Sequence, residues 1–425
     1  MRILRFAGTG TLIVAVPVFV IATLGLLYQR LERFREGRRL SPPGLMAQIR
    51  GGPIHVNCYG LGSPSVVLES GLLHGAQDWV LVQPEVSKFT RVCSYDRAGY
   101  GWSQYRSGPR TSTEIAEELA AALEAAGERP PHILVGHSLG GILVRRFAVL
   151  YPGKVAGMVL VDSSHEQQLA HFPAPENSIQ RSQQYFRKQI VENEFGFPRL
   201  LGGCGQDPPR PDLHDETVFL ECEPERWLTA LHEIEIFDLP PPLPPAGSFG
   251  DLPLEVLTRD MSLDSDGNPA AVTWLQLQRE LAAMSNVGNQ HTVRGSSHFI
   301  QLDKPDVVVA AIRKVWGSAS HNSPQQVMSV AKYNTRSSRG IRLDQLSRKS
   351  RAIDYSNWRI GGPREHRFKT DGSRRLSETD FHAESWARSY PVSSELPSVL
   401  IPPNGWTTSG WSWNRVSLTE ERSIS

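Results

Sequence analysis

The sequence predicts an α/β protein, a mostly parallel sheet with helices on both faces. Three observations carry that expectation. Short apolar runs recur along the chain as "PIHVNCYG", "SVVLES", "RVCSYD", "HILVG", "GMVLVD" and "PLEVLTRD". Amphipathic stretches of helical period separate them, and nearly continuous apolar strands between helices read as a sheet buried on both sides. The rhythm breaks once, between Ser164 and about Gly250, where helical segments replace the strands.

Taken in order, the chain opens with a segment of a different kind. From Phe6 to Tyr28 it reads "FAGTGTLIVAVPVFVIATLGLLY" without a charge, long enough as a helix to cross a hydrocarbon core of about 30 Å. This is expected to be a single transmembrane anchor, in which Pro17 is tolerable. A cleaved signal peptide, which would leave a secreted protein, is the rival: Arg2 and Arg5 form a charged start, although no A-x-A site comes after it. The flank "QRLERFREGRR" outweighs those two arginines, and the positive-inside rule then favours the cytoplasmic side for the domain beyond it.

Pro42, Pro43 and Gly44 close this anchor and juxtamembrane unit, residues 1–40, and a catalytic-size domain is expected over residues 45–316. Within it, Thr111 and Glu114 make a capping box for the helix "IAEELAAALEAAG", and Gly127 fits its C-terminal stop. The insertion of about residues 164–250 supplies "SIQRSQQYFRKQIVENEF" and "PERWLTALHEIEIF", closed by "DLPPPLPPAG", and is read as a helical cap over one end of the sheet. Helices "AVTWLQLQRELAAMS" and "PDVVVAAIRKVW" flank a last strand, "QHTVRG". From Gly317 to Ser425 no period of 2 or 3.6 persists, so a Ser/Arg-rich disordered tail is expected. Its basic stretch, Lys332 to Arg375, carries Tyr333, Tyr355 and Trp358 and is read as solvated.

Composition excludes several classes. The 45 basic residues balance 44 acidic ones, so no nucleic-acid partner is expected. Cys58, Cys93, Cys204 and Cys222 lack zinc-site spacing and are read as thiols, with a Cys204–Cys222 bridge as the one alternative. No metal or cofactor is expected.

Chemistry concentrates in "HILVGHSLGG". Gly136, His137, Ser138, Leu139 and Gly140 form G-x-S-x-G directly after a strand and before a helix, the setting of a nucleophile elbow. A serine hydroxyl needs a base, and "GSSHFIQLDKPDVVV" offers His298 between the last strand and the last helix. His291 falls inside a strand pattern and His137 beside the nucleophile, and both are read as structural. An oxyanion hole would use the backbone amides of Leu139 and, in the loop "GLLHGAQDW", of Leu72.

With "VVLESG", "RVCSYDRAGYGWS", "LVGHSLGG", "GMVLVDSSH" and "GSSHFIQLDKPDVV" in this order, the chain resembles the α/β-hydrolase superfamily, specifically membrane-anchored or secreted serine hydrolases. The resemblance spans about Ile49 to Trp316. It implies an eight-stranded, mostly parallel sheet, a cap after the sixth strand and hydrolysis through an acyl-enzyme. It also places Asp96, Arg97, Gly99 and Gly101 in an architectural loop beside the site. Many members carry the triad acid after the seventh strand, but there "LTRDMSLD" has Asp260 too early and Asp264 too late. The superfamily's other location, the end of the sixth strand, presents Asp162, which is therefore assigned, with Asp260 and Asp264 as alternatives. The expected activity is hydrolysis of a carboxylic ester, thioester or amide of a small-molecule or lipid-like substrate. A catalytically silent scaffold used for binding is the alternative.

Overall fold

The computed structural model describes residues 3–108, 110–172, 178–263 and 269–334. Of the two compact units into which the chain divides, the one that begins at the N-terminus holds every side chain discussed below. Helix α1, Ile3–Arg39, contains the apolar segment and continues through the arginine-rich flank. Its length and composition suit a membrane anchor or a signal segment.

Eight strands form one sheet: β1 (Leu45–Ile49), β2 (Gly52–Tyr59), β3 (Ser65–Glu69), β4 (Val92–Tyr95), β5 (His132–His137), β6 (Val155–Val161), β7 (Leu254–Arg259) and β8 (Asn289–Val293). Their spatial order is β1-β2-β4-β3-β5-β6-β7-β8. β1 and β2 run antiparallel at one edge, β2 pairs antiparallel with β4, and the remaining pairs are parallel. Strand β1, "LMAQI", is the element that apolar runs do not reveal, because it is half exposed and survives as one arm of a hairpin turned at Arg50 and Gly51.

Side chains alternate across the sheet with the period of two that a strand imposes. Val67, Leu134, Met158 and Leu160 face one layer, where helices α2 (Ser112–Ala125), α3 (Leu139–Leu150) and, farther along the chain, residues Leu281 and Ala282 pack. Val66, Leu68, Ile133, Val135, Val159 and Val161 face the other, against Trp79, Val82 and Val86 and against Val308, Ile312 and Val315. The capping box of Thr111 with Glu114 is formed, and Gly127 takes the left-handed conformation after the α2 terminus.

The cap contributes α4 (Ser178–Glu194), α5 (His214–Glu221) and α6 (Pro224–Glu233), after which the chain returns through β7, α7 (Pro269–Ala282), β8 and α8 (Pro305–Asn334). Ile179, Phe186, Trp227, Ala230 and Phe237 of the cap close over Leu73 of the loop after β3 and Leu139, Ile142 and Leu143 of α3. This third core seals the cap to the strand ends that bear the site.

Two expectations are corrected. Helix α8 does not stop at Trp316 but runs to Asn334, since one glycine, Gly317, costs a helix only about 1 kcal/mol and Ala319 beyond it is still buried in the core. Residues 335–425 lie outside the described residues, as does most of the basic stretch of the tail. The cysteines are not thiols: Cys58 bonds Cys93 and Cys204 bonds Cys222. Cys58 and Cys93 are register partners on β2 and β4, with Cα atoms 4.1 Å apart. Spacing along the chain could not show this, because β4 displaces β3 as the neighbour of β2.

Candidate active site

Ser138 stands between β5 and α3 with φ +53° and ψ −123°, a conformation that L-residues rarely adopt. The surroundings enforce it. Ser138 N–H donates to the Val161 carbonyl, and its own carbonyl accepts from Ser164 N–H. Any side chain at Gly136 would press within 2.6 Å of the Gly140 carbonyl oxygen, and one at Gly140 within 2.6 Å of the Glu69 carbonyl oxygen. A turn this tight, ahead of a helix, lifts the serine out of the sheet, and backbone strain held by neighbours is typical of functional positions.

The histidine and the acid meet at the neighbouring strand ends. His298 Nδ1 lies 2.6 Å from Asp162 Oδ2. Asp162, itself at φ +38°, is fully buried at the end of β6, tied by its N–H to the Leu257 carbonyl of β7. Its other partners come from segments far away in sequence. The Arg259 backbone N–H and the Trp274 Nε1–H donate to Oδ1, and the Arg259 guanidinium donates to Oδ2 at 3.0 Å. Burial alone would push this carboxyl up, but the Arg259 charge and the His298 and Trp274 hydrogen bonds outweigh it and hold Asp162 far below the ordinary carboxylate range.

Asp260 is not placed this way. Asp260 accepts from the Ser262 N–H and hydroxyl and from the Gly295 N–H, closing a loop at the surface without reaching His298. Asp264 lies outside the described residues. His291 sits on β8 against Glu255, and His137 is buried beneath His298 with ring centroids 4.6 Å apart. Burial depresses the His137 pKa, so the neutral ring donates Nε2–H to the His298 carbonyl at 3.0 Å and holds the histidine loop over the elbow.

Leu139 is the first residue of α3, where helical N–H groups lack intrahelical acceptors. The Leu72 loop approaches from the other side: a Cβ at Gly71 would lie 3.2 Å from the Ser138 Cβ. Arg97 orients this loop. Its guanidinium donates to the Ser70 and Gly71 carbonyls at 2.7 Å each. In a trans peptide the C=O and the following N–H point in opposite directions, so drawing the Gly71 carbonyl to Arg97 turns the Leu72 N–H away from it. Arg97 is buried between Glu69 of β3 and Glu233 of the cap helix α6. In the sequence, Arg97 of "DRAGYG" reads as architectural, and no pattern there signals these carbonyl partners.

Two features thus lie beyond the reach of motifs, the Arg259–Trp274 cradle of Asp162 and the Arg97–Glu233 link from loop to cap. Both join residues whose proximity arises only through the order of strands.

A family model described as "Alpha/beta hydrolase family" matches residues 66–311 of the chain. Among proteins of similar sequence, the uncharacterized protein YbdG of Bacillus subtilis (strain 168) is 28% identical over 310 residues, covering 69% of this chain and 92% of that one. An AB hydrolase superfamily protein of Gibberella zeae is 26% identical over 281 residues, covering 59% of this chain and 86% of that protein. Among solved structures, a thermophilic esterase from Thermogutta terrifontis superposes with a TM-score of 0.49 at 20% identity, over 64% of this chain and 97% of its own.

Proposed function

The chain belongs to the alpha/beta hydrolase family, and from that premise we propose that it is a serine hydrolase that cleaves a carboxylic ester through a Ser138–His298–Asp162 triad. The observation that carries this reading is the 2.6 Å contact between His298 Nδ1 and the buried Asp162 carboxylate, beside a serine on a strained strand-to-helix turn. An imidazole so held presents its Nε2 as the base, and its orientation is fixed by the acid.

In the proposed reaction Ser138 Oγ attacks the ester carbonyl while its proton passes to His298 Nε2. The oxyanion that forms is met by the Leu72 and Leu139 amides. Collapse breaks the ester C–O bond, His298 returns the proton to the departing alkoxide, and the alcohol leaves an acyl-Ser138. Water, deprotonated by His298, then releases the acid and restores the serine. Thioesters and amides of suitable shape would take the same path.

We also propose that α1 anchors the enzyme in a membrane with its catalytic domain on an oxidising side. The two disulfides support that side, because reducing compartments keep thiols free. Flanking arginines are held in ion pairs: Arg33 with Glu223, Arg39 with Asp215 and Arg35 with Glu32.

The test is hydrolysis of short- and medium-chain nitrophenyl esters by the full-length protein in detergent, beside Ser138→Ala, with covalent labelling by an active-site phosphonate. Activity and labelling that both vanish in Ser138→Ala are expected. A folded wild type that neither hydrolyses these esters nor takes the label would overturn the reading in favour of a silent scaffold.

A further inference from the structure

Helix α1 does not leave the fold as a free stalk. From Ala15 to Ile21 every residue is exposed, but from Ala22 onward one face is covered, culminating in Gln29, which is 3% exposed. That face lies on the cap. Gln29 Nε2 donates to the Cys222 carbonyl at 2.7 Å, and Arg199 reaches Glu36 at 2.5 Å. Higher up, a Cβ at Gly25 would lie 2.4 Å from the Phe195 carbonyl oxygen, so the helix backbone touches the cap there.

The contact fixes the height of the cap along the anchor. The uncharged run Phe6–Tyr28 is about 34 Å long at 1.5 Å per residue, slightly more than a hydrocarbon core of about 30 Å. When that run is immersed, its last turns, Ala22–Tyr28, lie at the boundary between acyl chains and headgroups. Phe195 meets these turns at Gly25 and Gly196 meets them at Tyr28 and Gln29, while Arg199 reaches Gln29 and Glu36, so Phe195–Leu201 lies along the end of the run and the first turns of the flank.

The surface of that segment suits the location. Phe197, Leu200 and Leu201 are 39%, 64% and 79% exposed, and Val191 at the end of α4 is 55% exposed. Arg199 is turned inward against α1 and is nearly buried, while Glu194, at the end of α4, pairs with Arg30 of α1. Large apolar side chains clustered on an exposed surface mark an interaction site, and on α1 the side chains Leu24 and Leu27, each 60% exposed, flank Gly25, where the helix meets Phe195.

We propose that Val191, Phe197, Leu200 and Leu201 form a membrane-contacting tip of the cap, immersed at the headgroup–acyl boundary of the bilayer that holds α1. The inference rests on the reading of α1 as an anchor and is independent of the reaction assigned to Ser138. Burial of apolar side chains at that boundary, beside a helix that already crosses it, seats the cap at the membrane surface.

All four native cysteines are bridged, so one introduced thiol can be labelled selectively. The full chain, reconstituted in phosphatidylcholine vesicles, would carry a nitroxide at Leu201→Cys, at Leu24→Cys as a probe of the anchor, or at Val272→Cys on α7, which is 73% exposed, as an aqueous reference. Collisions with oxygen and with a water-soluble nickel chelate report depth. The expected result is that Leu201→Cys and Leu24→Cys both favour oxygen over nickel several-fold relative to Val272→Cys. If Leu24→Cys is immersed and Leu201→Cys matches the aqueous reference, the membrane tip is overturned while the anchor stands. If both match the aqueous reference, the anchor reading fails and takes the tip with it.

Discussion

The guanidinium of Arg259 and the carboxylate of Asp162 meet 3.0 Å apart at the ends of neighbouring strands, on the carboxylate oxygen that also faces His298. Arg259 is the last residue of β7, and its cation supports the carboxylate at the end of the adjacent strand. The pair shares one buried corner with Trp274, whose ring lies beneath the guanidinium at 5.3 Å.

Asp162→Asn is expected to lower kcat by a factor on the order of 10⁴, the loss seen when the acid of the worked serine-protease triad is replaced by its amide. Asp260→Asn, which alters only a surface loop, should stay within a few-fold of wild type. Steady-state ester hydrolysis distinguishes them, and equal loss in both would remove Asp162 from the triad.

Arg259→Met leaves the buried Asp162 carboxylate without its counter-charge. Breaking one side of a buried pair costs about 3–5 kcal/mol, so the melting temperature should fall by several degrees. Trp274→Phe removes one hydrogen bond to a charged acceptor, worth about 1.5–3 kcal/mol, and should destabilise less. Thermal unfolding of both variants checks the order.

Glu233→Gln keeps the shape of the cap residue but weakens its hold on Arg97, and through it on the Gly71 carbonyl. If the Leu72 amide serves the transition state, kcat should drop by roughly tenfold with KM little changed, less than the loss of a whole oxyanion donor. A rise in KM alone would place Arg97 in substrate binding rather than in orienting the loop.

Both disulfides should be found intact by mass analysis of non-reduced digests. Reduction should lower the melting temperature, since closing a loop of some fifteen residues contributes about 3 kcal/mol and longer loops somewhat more. An unchanged transition after complete reduction would contradict a structural role.

Acid should weaken the fold by forcing protons onto buried histidines. Burial holds His132 down to about 4 and His165 to about 3, so both are neutral in the native state at pH values where an unfolded histidine, at 6.5, takes up a proton. The stability these rings permit is therefore present above pH 6.5 and is lost as pH falls toward 4. Melting curves between pH 7 and pH 4 should show that decline, and His132→Asn should flatten it.

The sequence by itself determined the elements and the tight strand-to-helix turn at Ser138. Period-two and period-3.6 patterns are local, and so are the turn constraints that make G-x-S-x-G readable, which is why seven of the eight strands, the capped helix α2 and Ser138 were legible. The place of His298 between the last strand and the last helix is also a matter of order along the chain. What the tertiary structure alone decided depends on which strands become neighbours. Strand β4 beside β2 brings Cys58 to Cys93, β7 beside β6 brings Arg259 to Asp162, and the folding back of the insertion brings Glu233 to Arg97. Seating of the cap on α1 is of the same kind, since Arg33 and Glu223 lie far apart in the sequence and meet at 2.6 Å. Such pairs are separated by tens to hundreds of residues, and their closeness is settled by the burial of two apolar sheet faces and a cap core, a collective balance that no short stretch encodes.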